Sequence, residues 1–200
     1  MKTEERPFVY NIVIDSKDRD RVKYPNPASF VIDFSPPESQ GGSAGDINKG
    51  YISTAFGNII SCELLDITLL DTSVECDSSD SAGAGNVYPY IILDLPELGT
   101  NYYGTNDELS RAFTTLTTYE TVNGYKHYNI NAINSNQTVT KVYNPRINLN
   151  RLTIRLKLPD GTLYSFGAGN NASTATVVKV SFRITTLQKN LATSFINKAL

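Results

Sequence analysis

Apolar and polar residues alternate through most of this chain with the two-residue period of a half-buried strand. The pattern is cleanest over residues 150–158, NRLTIRLKL. Leu152, Ile154, Leu156 and Leu158 fall on one side there, and Arg151, Thr153, Arg155 and Lys157 on the other. Residues 8–14 and 29–34 read the same way, the latter with Phe30, Ile32 and Phe34 on one face. Residues 58–70, NIISCELLDITLL, form the longest apolar segment. Alternation groups Ile60, Cys62 and Leu64, and a bulge or a split near Asp66 suits the segment better than one uniform strand. Residues 88–95 place Tyr90, Ile92 and Asp94 opposite Ile91, Leu93 and Leu95. Further strands are expected over 125–130, 138–143 and 176–187. Pro159-Asp160-Gly161-Thr162 is a turn signal that should return 163–166 as a hairpin.

One segment has the helical period instead. Thr105 and Glu108 have capping-box spacing, and Leu109, Ala112, Phe113 and Leu116 follow at i, i+3, i+4 and i+7. Residues 38–50 and 77–86 are Ser- and Gly-rich and read as loops. About eight strands at irregular spacing, one short helix and long loops predict an all-β protein. A single jelly roll, an eight-stranded double-sheet sandwich, fits best. The expected limits are a flexible segment over 1–7, one domain over 8–190 and a tail over 191–200.

The 200 residues suffice for one sizeable core. One His, one Met, no Trp and twelve Tyr narrow the available chemistry. The net charge of −2 gives no reason to expect nucleic-acid binding. Its distribution is uneven. Residues 62–120 hold eleven acids against Arg111, and residues 141–200 hold nine bases against Asp160, so the segments carry −10 and +8. Two readings stay open. The charges could pair within one molecule across adjacent strands. Alternatively, they could form acidic and basic flanks that associate head to tail.

The most distinctive stretch is 12–34, IVIDSKDRDRVKYPNPASFVIDF. Two apolar runs enclose a knot whose charges alternate in sign and largely cancel. Asp15, Asp18, Arg19 and Arg21 are expected to pair locally and set how the flanking strands meet. Asp15, Asp18 and Asp20 resemble a calcium-ligand run but lack the EF-hand glycine and terminal Glu.

No other chemistry emerges. His127 is the one histidine and sits between tyrosines on an expected strand, with no GxSxG, HExxH or phosphate-loop motif in the chain. The carboxylate pairs Asp66/Asp71 and Asp77/Asp80 fall on strand ends and a loop, without a Trp platform for a sugar. Cys62 and Cys76 form no metal motif and are expected as reduced thiols. No catalytic, metal or cofactor site is expected. Neither a leader peptide nor an apolar run of bilayer length is found, so no direct membrane insertion is expected. Tyrosines cluster in the middle of the chain, where they suit contacts between proteins. Tyr102, Tyr103, Arg151 and Arg155 are the candidate interface residues.

The order of IDSKDRDRVKYPNPASFVIDF, NIISCELLDITLL, YPYIILDLPEL, TNDELSRAFTTL and LNRLTIRLKLPDGTLYSF resembles small capsid proteins of nucleocytoplasmic large DNA viruses. It is most similar to the single jelly-roll penton proteins of chlorella-type viruses, over residues 9–187. Asp15-Ser16-Lys17-Asp18-Arg19, Pro25-Asn26-Pro27-Ala28-Ser29-Phe30 and the 151–166 hairpin carry the likeness best. The Gly- and Ser-rich loops near Gly41 and Gly83 depart from it. The resemblance implies a non-enzymatic structural protein, assembled in the host cytoplasm. It would form a homopentamer at the capsid vertex of the virion, bordered by major and minor capsid proteins. The alternatives are a minor capsid protein or a displayed β-sandwich module that binds a receptor or glycan.

Overall fold

The computed structural model describes residues 5–34, 52, 54–70, 90–99, 103–117, 120–122, 125–127, 139–164 and 177–189. In chain order the strands are β1 (Glu5–Asp15), β2 (Ser29–Asp33), β3 (Phe56–Leu70), β4 (Tyr90–Asp94) and β5 (Thr114–Thr117). They continue with β6 (Glu120–Val122), β7 (Tyr125–His127), β8 (Val139–Leu149), β9 (Arg151–Lys157) and β10 (Val177–Lys189). One sheet runs β1-β10-β3-β8 and the other β2-β9-β4-β5, while β6 and β7 form a separate hairpin. The antiparallel pairs nest: β1 with β10, β2 with β9, β3 with β8, β4 with β5. A long hairpin folded over onto itself produces that order, and it is the jelly roll expected from the strand spacing.

Alternation explains the core. Ile12 and Ile14 of β1, Phe30 and Ile32 of β2, and Leu152, Ile154 and Leu156 of β9 are buried between the sheets. Edge-on rings close the sandwich: Phe56 meets Tyr10 at 5.3 Å and Phe34 at 5.4 Å, and Phe113 meets Phe182 at 6.4 Å. β8 and β9 lie in different sheets with only Asn150 between them. The Asn150 carbonyl accepts from Phe34 N–H at 2.6 Å and so ties the crossing to the end of β2.

β3 is one strand with two irregularities. Its pairing with β10 steps from Ser181↔Asp66 to Phe182↔Leu64, which leaves Leu65 extra, and steps again past Ile60. Each extra residue switches the inward face. Ile59, then Cys62 and Leu64, then Ile67 and Leu69 are buried. The bulge expected near Asp66 is therefore present, but the inward residue at the start of the strand is Ile59, not Ile60.

Three expectations change. β1 starts at Glu5 instead of residue 8, because β10 extends to Lys189 and offers a partner along the whole length. The helix, α1, covers only Asp107–Arg111. Its cap is Asn106, whose Oδ1 accepts from Leu109 N–H at 2.8 Å, one residue beyond the expected Thr105; Asn is the stronger cap. Leu116 is buried from a strand, since β-branched Thr114, Thr115 and Thr117 favour the pleat and pair with β4. The 159–162 turn is as expected: Asp160 Oδ1 accepts from Thr162 N–H at 2.9 Å, and Gly161 has φ +88°. Leu163 bridges back to Lys157. The loops of 38–50 and 77–86, the rest of the 125–130 strand and the tail of 191–200 lie outside the described residues.

Candidate functional site

The charged knot connects β1 to β2, and sequence locality builds it. Asp15 ends β1 and caps a 3-10 turn, Ser16–Asp18, with Oδ1 accepting from Lys17 N–H at 2.8 Å. Ser16 is fully buried, and its Oγ accepts from Val178 N–H at 2.9 Å, anchoring the turn to β10. Arg19 is only 4% exposed. Its guanidinium donates to three carbonyl oxygens: Nη1 to Ser16 at 2.7 Å, Nε to Tyr24 at 2.9 Å and Nη2 to Pro25 at 2.9 Å. Asp20 Oδ1 accepts from Val22 N–H and Lys23 N–H, both at 3.1 Å. Asn26 Oδ1 accepts from Ala28 N–H at 2.8 Å and launches β2.

This is a correction to the salt-bridged clamp. Among the described residues no ion pair joins Asp15, Asp18, Arg19 and Arg21. Arg21 reaches only the Lys17 carbonyl, at 3.4 Å, and Asp18 is exposed. The physical reason is local geometry. A tight turn points successive side chains in different directions, so sign alternation does not bring opposite charges together. Turn carbonyls, in contrast, converge on one guanidinium, whose planar fork suits several acceptors. Burial, followed by the nearby Arg21 charge, lowers the Arg19 pKa.

The −10 and +8 segments meet inside the molecule. On the face of the second sheet away from the core, Lys157 Nζ lies 3.1 Å from Asp94 Oδ2 and 2.8 Å from Glu108 Oε2. Arg155 Nη1 stands 3.7 Å from the same Asp94 oxygen. Asp94 is buried, and Arg155 is its register partner across β4 and β9. Glu97 takes Arg151 Nε at 3.4 Å, and accepts from Thr153 N–H at 2.9 Å and Thr153 Oγ1 at 2.6 Å. On the first sheet, Glu63 pairs with Arg183 at 3.0 Å and Asp66 with Lys179 at 3.8 Å. Five acids of the first segment thus meet five bases of the second. Jelly-roll nesting sets β3 beside β10 and β4 beside β9, so pairing across adjacent strands is what the structure shows. Burial opposes the Lys157 charge, but hydrogen bonds to Glu108 and Asp94 outweigh it and raise its pKa.

Of the candidate interface residues, Arg151 and Arg155 share one sheet face but are held by Glu97 and Asp94. Tyr103 is fully exposed, and Tyr102 lies outside the described residues. His127 ends β7. Cys62 is a free, buried thiol pushed up to about 12 by burial, which makes it inert, and Cys76 lies outside the described residues. No group of three metal-ligating side chains occurs among the described residues. No described helix is long and apolar enough to cross a membrane.

Lys141 was missed. It is buried opposite Cys62 on β8, its Nζ donates to the Gly99 carbonyl, and it sits 5.7 Å from the Phe113 ring centre. Burial lowers its pKa to about 8. The signal was parity: Lys141 shares the inward side with Val139 and Tyr143. This lysine ties the 3-10 turn of Pro96–Leu98 to the opposite sheet, and the thiol opposite it, Cys62, is the one that burial keeps protonated.

No protein-family model matches the chain, and neither does any curated protein searched. The chain is a jelly-roll sandwich in which Arg19, Asp94, Glu97 and Lys157 hold strands and turns together.

Proposed function

We propose that this chain is a structural virion protein, a penton that forms the fivefold vertices of an icosahedral large-DNA-virus capsid as a homopentamer. One coincidence carries the proposal. The 12–34 segment, on which the likeness to such proteins is strongest, forms the β1–β2 connection of an eight-stranded jelly roll. Residues 151–164, the described part of the other strong point of likeness, form β9 and its return turn. Both segments use their polar residues as architecture. Arg19 binds three carbonyls, and Arg151 and Arg155 brace the sheet.

Five acids of the first segment and five bases of the second are taken up by pairs within one molecule, which leaves less of the charge segregation for a ring contact. Ring contacts would therefore depend on shape and on exposed aromatic residues such as Tyr103. Native mass spectrometry of the purified chain, followed by its location in a virion map, tests the proposal. A five-subunit particle seated at the vertices is expected. A strict monomer with no affinity for capsid components, or glycan binding on an array without assembly, would overturn it.

A further inference from the structure

Every open sheet in a soluble protein has edges, and long regular edges recruit further strands unless something blocks them. Three of the four edges of the two large sheets are blocked. β2 and β5 are five and four residues long. β8 loses register twice against β3 and carries Pro145 and Arg146. The fourth, β1, is different. It pairs with β10 over eleven residues without a register shift. Pro7 interrupts only the start of this edge; residues 8–14, FVYNIVI, hold neither charge nor proline, and on the face away from the core Val9 and Val13 are 59% and 61% exposed.

We propose that β1 is a homotypic docking edge, to which β1 of a second copy adds antiparallel about a twofold axis at Asn11. Charge selects the direction. Glu5 is already held by Arg146 of β8; a parallel pair would stack Arg6 on Arg6 and Asp15 on Asp15, whereas the antiparallel pair brings the Arg6 end of one strand to the Asp15 end of the other. Face and charge then select the register. Keeping the two outer faces continuous requires residues of like parity to oppose each other. Centring on Tyr10 would set Val9 against Asn11 and Val13 against Pro7 of the second copy, and centring on Val9 would set Val13 against Glu5. Centring on Asn11 sets Val9 against Val13 twice and covers both exposed valines. The product is one continuous eight-stranded sheet. Such a contact is isologous, unlike the head-to-tail contact of a ring, and does not rest on the capsid reading. A ladder of this length is a small interface, so association is weak and concentration-dependent.

Sedimentation velocity of the full chain over a hundredfold concentration range reads the association. Concentration-dependent pairing of the sedimenting unit is expected, whether that unit is the single chain or the ring it builds, and Val9→Lys with Val13→Lys should shift it at least tenfold toward the unpaired unit. Should that variant misfold, a cysteine pair reads the register directly. Asn11→Cys would face its own copy across the axis, where directly opposed Cα atoms lie about 4.5–5.5 Å apart, within disulfide reach. Val9→Cys would stand roughly 14 Å from its copy, four residues along the strand. Mild oxidation should therefore cross-link the first variant and not the second. A wild-type unit that stays unpaired at all concentrations, or equal cross-linking of the two variants, overturns the proposal.

Discussion

Replacing Arg19 by alanine separates two accounts of the β1–β2 loop. If charge alternation held it, Asp15→Ala, Asp18→Ala and Arg19→Ala would cost similar amounts and salt would weaken all three. Of these three residues, the structure assigns most of the work to Arg19. Its guanidinium is 4% exposed and donates at 2.7, 2.9 and 2.9 Å to carbonyls of Ser16, Tyr24 and Pro25. A hydrogen bond to a charged group contributes about 1.5–3 kcal/mol, and a buried acceptor left bare costs about 1–3 kcal/mol. The Tyr24 and Pro25 contacts are only part-buried, so water recovers some of theirs. Truncation should then cost about 3–5 kcal/mol, a large share of the roughly 5–15 kcal/mol that holds a typical domain together. Asp15→Ala loses one capping hydrogen bond, about 1 kcal/mol. Asp18→Ala should stay within about 0.5 kcal/mol. Arg19→Lys keeps the charge but not the fork and should recover less than half. Urea denaturation at low and high salt, with unchanged slope, measures all four. An Arg19→Ala cost under about 1 kcal/mol, or an Asp18→Ala cost equal to it, would refute the reasoning.

Further expectations concern the buried cations and one turn. Lys157→Met leaves the buried Asp94 with only the longer Arg155 contact and should cost about 2–3 kcal/mol, with Asp94→Asn in the same chain restoring at least half by thermal denaturation. Because the folded pKa of Lys157 is raised, its contribution is complete below the unfolded value of 10.5, is lost as pH rises from there through the folded one, and is gone above it. Lys141 has the opposite sign. Its folded pKa of about 8 lies below 10.5, so the folded state binds fewer protons in that window and stability rises with pH across it, by at most roughly 3 kcal/mol. Lys141→Met should abolish that rise and match or exceed wild type at pH 7, read by urea denaturation at a series of pH values. Gly161→Ala should destabilise by about 1–2 kcal/mol, since φ is +88° and an added Cβ would meet Glu108 at 3.2 Å; equal melting temperatures would contradict this.

Strand identity was legible because its signal is local. Leu152, Ile154 and Leu156 face inward as their spacing demands, and the misfit of residues 58–70 with one uniform strand announced the bulge at Leu65. The sandwich followed from counting such segments. Tertiary structure overrode the helical period of Leu109, Ala112, Phe113 and Leu116, since pairing with β4 made a strand of Thr114–Thr117. It also decided every charge partner. Arg183 meets Glu63 across 120 residues and Lys157 meets Glu108 across 49, distances over which sequence carries no pairing rule. The same holds for the 12–34 knot. Its charges and turn residues were plain in the sequence, and a loop between two strands was the right reading. That one buried arginine binds three carbonyls while its acidic neighbours face water depended on the turn's three-dimensional path. Side-chain periodicity is encoded residue by residue, whereas the partner of a charge is settled only when nesting sets distant strands side by side.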